Sequence, residues 1–475
     1  MSRLNRIITF LRHYSAARYF RRWTDREAFE RWQERRIVRH LDIVRKDSSF
    51  YRNHWKDLPT SRWREFPLID KKTMMAHFDQ LNTVGVRKEE AFAIALKAET
   101  TRDFAPTLSG ITIGLSSGTS GNRGLFLVSP QEQHAWAGTM LAKLLPGSLM
   151  QRERVAFFLR ADSNLYQSVQ GRRLQFAFFD LLDPLEQHLS RLQRYGPTLL
   201  VAPPSMLRML ADNIAAGMLC LPDMPRKVIS VAEVLDPLDR QHIEAAFGQP
   251  VHQVYQCTEG FLASTCRYGT LHLNEDLVAI QKEYVDVKAG KFVPIVTDFS
   301  RSAQPIVRYR LDDLLTEAPA CRCGSVFTAI QSIEGRCDDC FYLQDSLDPE
   351  RFVPVFPDFI ARTIIAASTE VTAYKAVQHA SSRIEVRLSV ADAAWPQAVQ
   401  AVHAALVSLF ERIGCRLPEI QFPPCEAEEA TASYRKLRRV ERRFTIHDTI
   451  ISSNRDSASA GFSEEIPSSF PHTTL

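Results

Sequence analysis

Between residues 110 and 300 of this 475-residue chain, short apolar runs alternate with longer amphipathic segments. Residues 155–159, 198–201 and 228–231 are apolar almost throughout. Runs of that length without polar alternation suit strands buried on both faces, and the stretches 205–216 and 238–247 that follow the second and third have the spacing of covering helices. The pattern predicts an α/β body, a largely parallel sheet with helices packed on it.

After Glu334 the pattern changes. Ile384, Val386, Leu388 and Val390 alternate as in a half-buried strand, and residues 420–422 read as a further short one. Val399, Val402, Leu406, Leu409 and Ile413 step by three and four, as on one face of a helix. The chain exceeds what one core accommodates. The expected organisation is a large N-terminal body (1–334), a small α+β domain (335–450) and a serine-rich, disordered tail (451–475).

Hydrophobic residues make up 45% and charged residues 24%, the composition of an ordinary globular protein. No apolar run approaches the roughly 20 residues that span a bilayer. Arg3, Arg6, Arg12 and Arg18 interrupt the apolar residues of the first 20, so no signal peptide is read and a cytoplasmic location is expected. The nine cysteines are then expected as thiols or metal ligands. No nucleic-acid partner is expected. Residues 1–45 carry twelve arginines against five acids. Two readings stay open: a basic docking face for an acidic partner, a phosphate-bearing cofactor or an anionic membrane surface, or a solvated helical face whose acids Asp25, Glu27, Glu30 and Glu34 pair locally.

Ser116-Ser117-Gly118-Thr119-Ser120-Gly121-Asn122-Arg123-Gly124 packs hydroxyls and glycines ahead of the apolar run 125–128. Such a loop can be a solvated linker, or it can turn backbone N–H groups and hydroxyls onto one anionic oxygen cluster. No Gly-Lys-Ser/Thr closes it, so it is not a Walker loop. Three more segments follow. Tyr255-Gln256-Cys257-Thr258-Glu259-Gly260 sets a ring, a hydroxyl and a carboxylate at the end of an apolar run. Arg308-Tyr309-Arg310-Leu311-Asp312-Asp313 places acids after a basic strand, where a carboxylate can accept from a ribose diol. Gly335-Arg336-Cys337-Asp338-Asp339 stands at the change in composition.

In order and separation, these four motifs resemble the adenylate-forming superfamily of acyl- and aryl-coenzyme A synthetases, carrier-loading adenylation domains and luciferases. The likeness covers about residues 66 to 445 and is nearest to the phenylacetate–coenzyme A ligase and coenzyme F synthetase branch. It implies an adenylate-forming body with a small mobile lid. The implied reaction joins a carboxylic acid, aromatic by family likeness, to AMP at the cost of ATP. The acyl group then passes to a thiol of coenzyme A or of a phosphopantetheine-bearing, acidic carrier protein. A coenzyme F synthetase-like transfer of AMP to a hydroxyl, or a catalytically silent nucleotide-binding partner, are the alternatives.

Residue by residue, the resemblance implies that Ser116, Ser117, Gly118, Thr119, Ser120 and Gly121 cradle the β- and γ-phosphates. Tyr255 would lie against adenine, Thr258 and Glu259 would hold the phosphate and magnesium end, and Asp313 would bind the ribose. Arg336 would approach the ribose or phosphate, with Asp338 as the hinge pivot. Lys436, in Lys436-Leu437-Arg438-Arg439, would be the catalytic lysine, its ammonium neutralising charge on the attacking carboxylate and α-phosphate. The sequence also departs from the family: Asn122-Arg123 stands where a lysine is usual, residues 340–354 contain no glycine, and Lys436 follows Tyr434-Arg435.

Cys266, His272, Cys321 and Cys323 form a set suited to one structural zinc, with Gly324 permitting the turn. The likeness adds a similar arrangement in some members of the branch. A ribbon from Cys321, Cys323, Cys337 and Cys340 is the disfavoured alternative, because it would pin the expected hinge. Cys220, Cys257, Cys415 and Cys425 are expected as small buried side chains. His134 and His252 are expected as core or surface residues. Residues 176–179 are expected as core that could also line a pocket.

Overall fold

The computed structural model describes residues 3–21, 23–101, 106–115, 124–159, 171–181, 183–336, 339–423 and 439–444. One compact unit runs through Gly335 and a second begins at Arg336.

The first unit opens with helices α1 (Arg3–Ser15) and α2 (Arg26–Asp47), joined through a π-helical turn at Ala16–Phe20. Short helices α3 (Ser49–His54), α4 (Lys71–Ala76) and α5 (Phe78–Leu81) and the longer α6 (Lys88–Thr101) follow. Asp70 caps α4, as its position before Lys71 predicts, by accepting from the Thr73 N–H at 2.7 Å. Strands β1 (Thr107–Leu108), β2 (Ile111–Leu115) and β3 (Leu125–Val128) make a small antiparallel sheet. Helix α7 (Pro130–Leu144) starts with a capping box, Ser129 with Glu132.

The large sheet has twelve strands: β4 (Glu153–Leu159), β5 (Leu174–Asp180), β6 (Leu199–Ala202), β7 (Lys227–Ser230), β8 (Val251–Cys257), β9 (Gly260–Thr265), β10 (Leu271–Leu273), β11 (Val278–Asp286), β12 (Lys291–Asp298), β13 (Ile306–Arg310), β14 (Asp313–Glu317) and β15 (Ala329–Arg336). Their order is β11-β12-β14-β15-β10-β9-β8-β7-β6-β4-β5, with β13 on β12. From β5 to β8 all neighbours are parallel. Crossover helices α8 (Leu185–Tyr195), α9 (Pro204–Ala215) and α10 (Pro237–Phe247) connect them.

All four residues of both β6 and β7 are buried, which is why the sequence shows unbroken apolar runs there. Successive side chains still take opposite faces. Val155, Leu199, Val201 and Ile229 join one core with Met140 and Leu141 of α7. Ala156, Phe158, Leu200 and Val228 join a second with Met206, Leu207 and Leu210 of α9 and Ile243 of α10. Phe176 and Phe179 divide the same way, so the aromatic run serves both cores. Phe176 also lines an apolar cavity of about 40 Å³ with Trp136, Met140, Phe157, Val201 and Ile229.

The second unit pairs β16 (Phe341–Gln344) with β17 (Phe352–Val355). It also holds a four-stranded sheet ordered β20 (Glu419–Gln421), β19 (Arg383–Ser389), β18 (Ala373–Ala380), β21 (Val440–Arg442). Helices α11 (Pro357–Ala367) and α12 (Trp395–Arg412) pack on each other; Val402, Leu406 and Leu409 of α12 are buried, the face that the three-four spacing predicts. Among the described residues no helix is long and apolar enough to cross a membrane.

Candidate functional site

Four side chains meet around the β8–β9 turn. The Tyr255 hydroxyl donates to Asp313 Oδ2 at 2.5 Å, and the Thr258 hydroxyl donates to Glu259 Oε2 at 2.8 Å. Tyr309, from β13, stands close enough to Glu259 for its hydroxyl to feel that charge. Tyr255, Glu259 and Tyr309 are buried. Burial, and then the Asp313 carboxylate, push the Tyr255 hydroxyl well above its usual range; burial and Glu259 do the same for Tyr309. Both phenols therefore stay protonated, and Tyr255 acts as a donor to a carboxylate. The Cys257 thiol is raised by burial and by the Glu259 and Asp313 charges, so it is inert as a nucleophile.

The segment 298–304 holds this turn against the strand that follows the Ser/Gly loop. Arg301 donates through Nη1 to the Thr258 carbonyl at 2.5 Å and through Nη2 to the Leu127 carbonyl at 3.2 Å. Gln304 accepts the Leu127 N–H at 2.8 Å and donates to the Leu125 carbonyl at 3.2 Å. Glu132 caps α7 with one carboxylate oxygen and accepts the Ser302 and Ala303 N–H groups with the other, at 2.5 and 2.9 Å. Asp298 is wholly buried, and burial raises its carboxyl to about 6 despite Arg301. Arg301 and Gln304 carry no signal in sequence spacing, since each acts on a partner far along the chain.

The Arg-Tyr-Arg run divides its work. Arg308 adopts a left-handed φ of 48° and reaches the Phe66 carbonyl at 2.7 Å, while its own carbonyl accepts the Ile69 N–H at 3.1 Å. That clamps the extended segment before α4 onto β13. Arg310 pairs with Glu283 at 2.6 Å. Between them Tyr309 turns to the site.

At another end of the same sheet, the metal-binding atoms of Cys266, His272, Cys321 and Cys323 all lie within 4.8 Å of one another. Cys266 Sγ is 3.8 Å from Cys321 Sγ, and Cys323 Sγ is 3.4 Å from His272 Nε2. A tetrahedral ion with bonds of about 2.3 Å to sulfur and 2.0–2.1 Å to nitrogen sets edges of about 3.8 and 3.5 Å. Each sulfur accepts the backbone N–H two residues on, from Tyr268, Cys323 and Ser325, all at 3.4 Å. Gly269 and Gly324, at φ 81° and 74°, close the two matching turns. His272 Nδ1 faces the Phe327 carbonyl at 3.1 Å. A carbonyl only accepts, so Nδ1 carries the proton and Nε2 faces the sulfurs with its lone pair. Burial raises the Cys321 thiol, but the Thr270 hydroxyl, the Cys323 N–H and His272 outweigh it and hold it at about 6. The donor set fits a closed tetrahedral zinc site.

No protein-family model matches the chain, and no curated protein matches it by sequence. Solved structures do match. The chain is similar to a 2-hydroxyisobutyryl-CoA ligase in the postadenylation state in complex with R3-HIB-AMP, at TM-score 0.63 and 14% identity over 90% of this chain and 92% of that one. An open conformation of that ligase matches at 0.55 and 15% over 86% and 90%. A GH3.15 acyl acid amido synthetase matches at 0.52 and 12% over 82% and 85%. The fold is that of adenylate-forming enzymes.

Of the residues that sequence motifs assign to an adenylate-forming site, Tyr255, Thr258, Glu259 and Asp313 come together around one turn and its hydrogen bonds. Arg336 ends β15. Ser116, Ser117, Gly118, Thr119, Ser120, Gly121, Asp338 and Lys436 lie outside the described residues, as do Cys337 and Cys425. The strands on either side of residues 116–123 pair, Leu115 opposite Leu125. Cys340 and Cys415 are buried, but Cys220 is exposed. The expectation of burial fails there because Cys220 follows the Gly217 turn, past the end of α9, where no element covers it. His134 is held by the Pro130 carbonyl and His252 by the Thr265 hydroxyl, as residues of the fold.

Proposed function

We propose that this chain is an ATP-dependent ligase that activates a carboxylic acid as its acyl-adenylate and passes the acyl group to a thiol, with the domain organisation expected from sequence. The observation that carries the reading is the meeting of Tyr255, Asp313, Thr258 and Glu259 at one turn, in a chain whose fold is shared with a ligase captured with an acyl-adenylate. Asp313, oriented by the Tyr255 hydroxyl, accepts the ribose hydroxyls, and the Tyr255 ring lies against adenine. The loop Ser116 to Gly121 cradles the β- and γ-phosphates. Glu259, a carboxylate oriented by the Thr258 hydroxyl, suits a hard divalent cation such as magnesium, which would neutralise the departing pyrophosphate.

In the first step a carboxylate oxygen of the acid attacks the α-phosphorus, and the bond from that phosphorus to the bridging oxygen breaks, releasing pyrophosphate. Lys436 and Arg336 offset the charge that builds there. In the second step a thiolate, of coenzyme A or a carrier's phosphopantetheine, attacks the acyl carbon and AMP leaves. The aromatic body of the acid rests on the family likeness, since the core cavity beside Trp136, Phe157 and Phe176, at about 40 Å³, is too small to hold an aromatic ring. The Cys₃His set holds a zinc ion that is structural, because four protein ligands leave no position for water.

The test is product identity. The purified chain is given ATP, magnesium, an aromatic acid and, separately, coenzyme A, an amine or a hydroxyl acceptor. The reading expects a thioester and free AMP by mass spectrometry. An amide, as an acyl acid amido synthetase makes, would move the acceptor to an amine, and an AMP ester would identify the coenzyme F synthetase-like alternative.

A further inference from the structure

Helix α1 is docked on α7 by one face only. Phe10, Tyr14 and Ala17 pack into the first core, and Gly138 of α7 allows an approach so close that a Cβ there would stand 2.4 Å from the Phe10 carbonyl oxygen. The next face is apolar too, and it is bare: Leu4, Ile7, Ile8 and Leu11 are 65, 48, 52 and 47% exposed. Their i, i+3, i+4, i+7 spacing is a single stripe. The π-helical turn that follows adds Tyr19 and Phe20, at 53 and 79% exposure.

The charge beside this stripe is one-sided. Much of the arginine block is spoken for. Arg26 binds Glu275 through both terminal nitrogens at 2.9 Å, Arg31 pairs with Glu27, Arg64 takes Glu34, and Arg18 donates to the Ala142, Leu145 and Gly147 carbonyls at the end of α7. Arg12, Arg36 and Arg39 have no carboxylate partner among the described residues, and all three are exposed. The charges that act on Arg36 are those of Arg21, Arg39 and Arg12, all positive. Arg12 joins the two features: it belongs to this cluster and sits one turn on from Ile8.

We infer that α1, its π-helical turn and the Arg12–Arg36–Arg39 cluster form an in-plane binding surface for an anionic lipid bilayer. Aliphatic side chains in a stripe, aromatic rings at its end and arginines at its margin match a helix lying at the headgroup boundary. A bilayer relieves both defects of the surface together, because it takes up the apolar side chains and supplies phosphates to arginines that repel one another. The inference is independent of the proposed ligase activity, as none of these residues lies at the β8–β9 turn.

The experiment is flotation of the purified full chain with vesicles of phosphatidylcholine, with and without about 30% phosphatidylglycerol. Binding is expected to the anionic vesicles and to weaken with salt. Each of Arg12→Ser and Arg39→Ser should lower the partition coefficient about fivefold, the effect of one basic residue at such a surface. Ile8→Ser with Leu11→Ser should lower it at least tenfold while the melting temperature, read as a control on folding, stays within a few degrees. Three results overturn the inference: no flotation at low salt, flotation that the stripe variants leave unchanged, or a self-associated chain in sedimentation that Leu11→Ser makes monomeric, which would assign the stripe to a second copy.

Discussion

Tyr255 donates its hydroxyl to Asp313 over 2.5 Å, although three strands lie between β8 and β14, which carry them, in the sheet order. The bond joins the end of one strand to the start of another and fixes the carboxylate assigned to the ribose. Hydrogen bonds to charged groups contribute about 1.5–3 kcal/mol. Tyr255→Phe should therefore raise the Michaelis constant for ATP about tenfold or more, and Asp313→Ala should raise it at least as far. In the double variant the losses should fall short of their sum, since both remove one interaction. Strict additivity in ATP-binding calorimetry would separate the two residues functionally.

Arg301 is a positioning residue in this account. It ties the Thr258 carbonyl to the Leu127 carbonyl, and so the turn that carries Glu259 to the strand after the Ser/Gly loop. Arg301→Ala should slow adenylation about tenfold to a hundredfold, two charge-assisted hydrogen bonds being lost. Arg301→Lys should recover part of it, because an ammonium can still reach one carbonyl. A full rate in Arg301→Ala would remove the clip from the mechanism.

The Cys₃His set predicts one zinc per chain in protein purified without added metal. Cys323→Ser should abolish that zinc and lower the melting temperature, while Cys220→Ser and Cys337→Ser leave both unchanged. Zinc lost in the Cys337 variant would instead favour the ribbon.

His40 gives a pH dependence with a defined sign. Burial, helped by Arg36 and opposed by Glu132, lowers its pKa from 6.5 to about 4. Below pH 6.5 the unfolded chain binds a proton that the folded chain refuses. Stability from this group is therefore complete above pH 6.5 and lost as pH falls towards 4, by roughly 3 kcal/mol. His252, also lowered to about 4, acts in the same direction. Denaturant melts of His40→Leu should show a shallower acid slope than the parent chain, and an identical slope would mean that other groups set it.

What could be read from sequence follows a physical division. The strands β4, β6 and β7 were legible because burial of most of their residues leaves runs that are apolar almost throughout. Tyr255, Thr258, Glu259 and the four zinc-type donors were legible because their residue types are unusual and their spacing is local. Arg301 and Gln304 were not. Each is an ordinary residue whose work depends on partners 43 to 179 positions away in the chain, and only the folded sheet brings them together. The arginines of residues 1–45 show the same limit, since Arg26 and Arg36 look alike in sequence while only one meets a carboxylate.

The most direct test of the central claim is ATP–pyrophosphate exchange across a panel of aromatic and aliphatic carboxylic acids. The account predicts exchange that requires one class of acid and magnesium. In Lys436→Ala it should fall by a factor of about 10² to 10³, as the loss of a charge-stabilising donor does. Folded protein that binds ATP yet shows no acid-dependent exchange, or exchange undiminished in Lys436→Ala and Asp313→Ala alike, would contradict it.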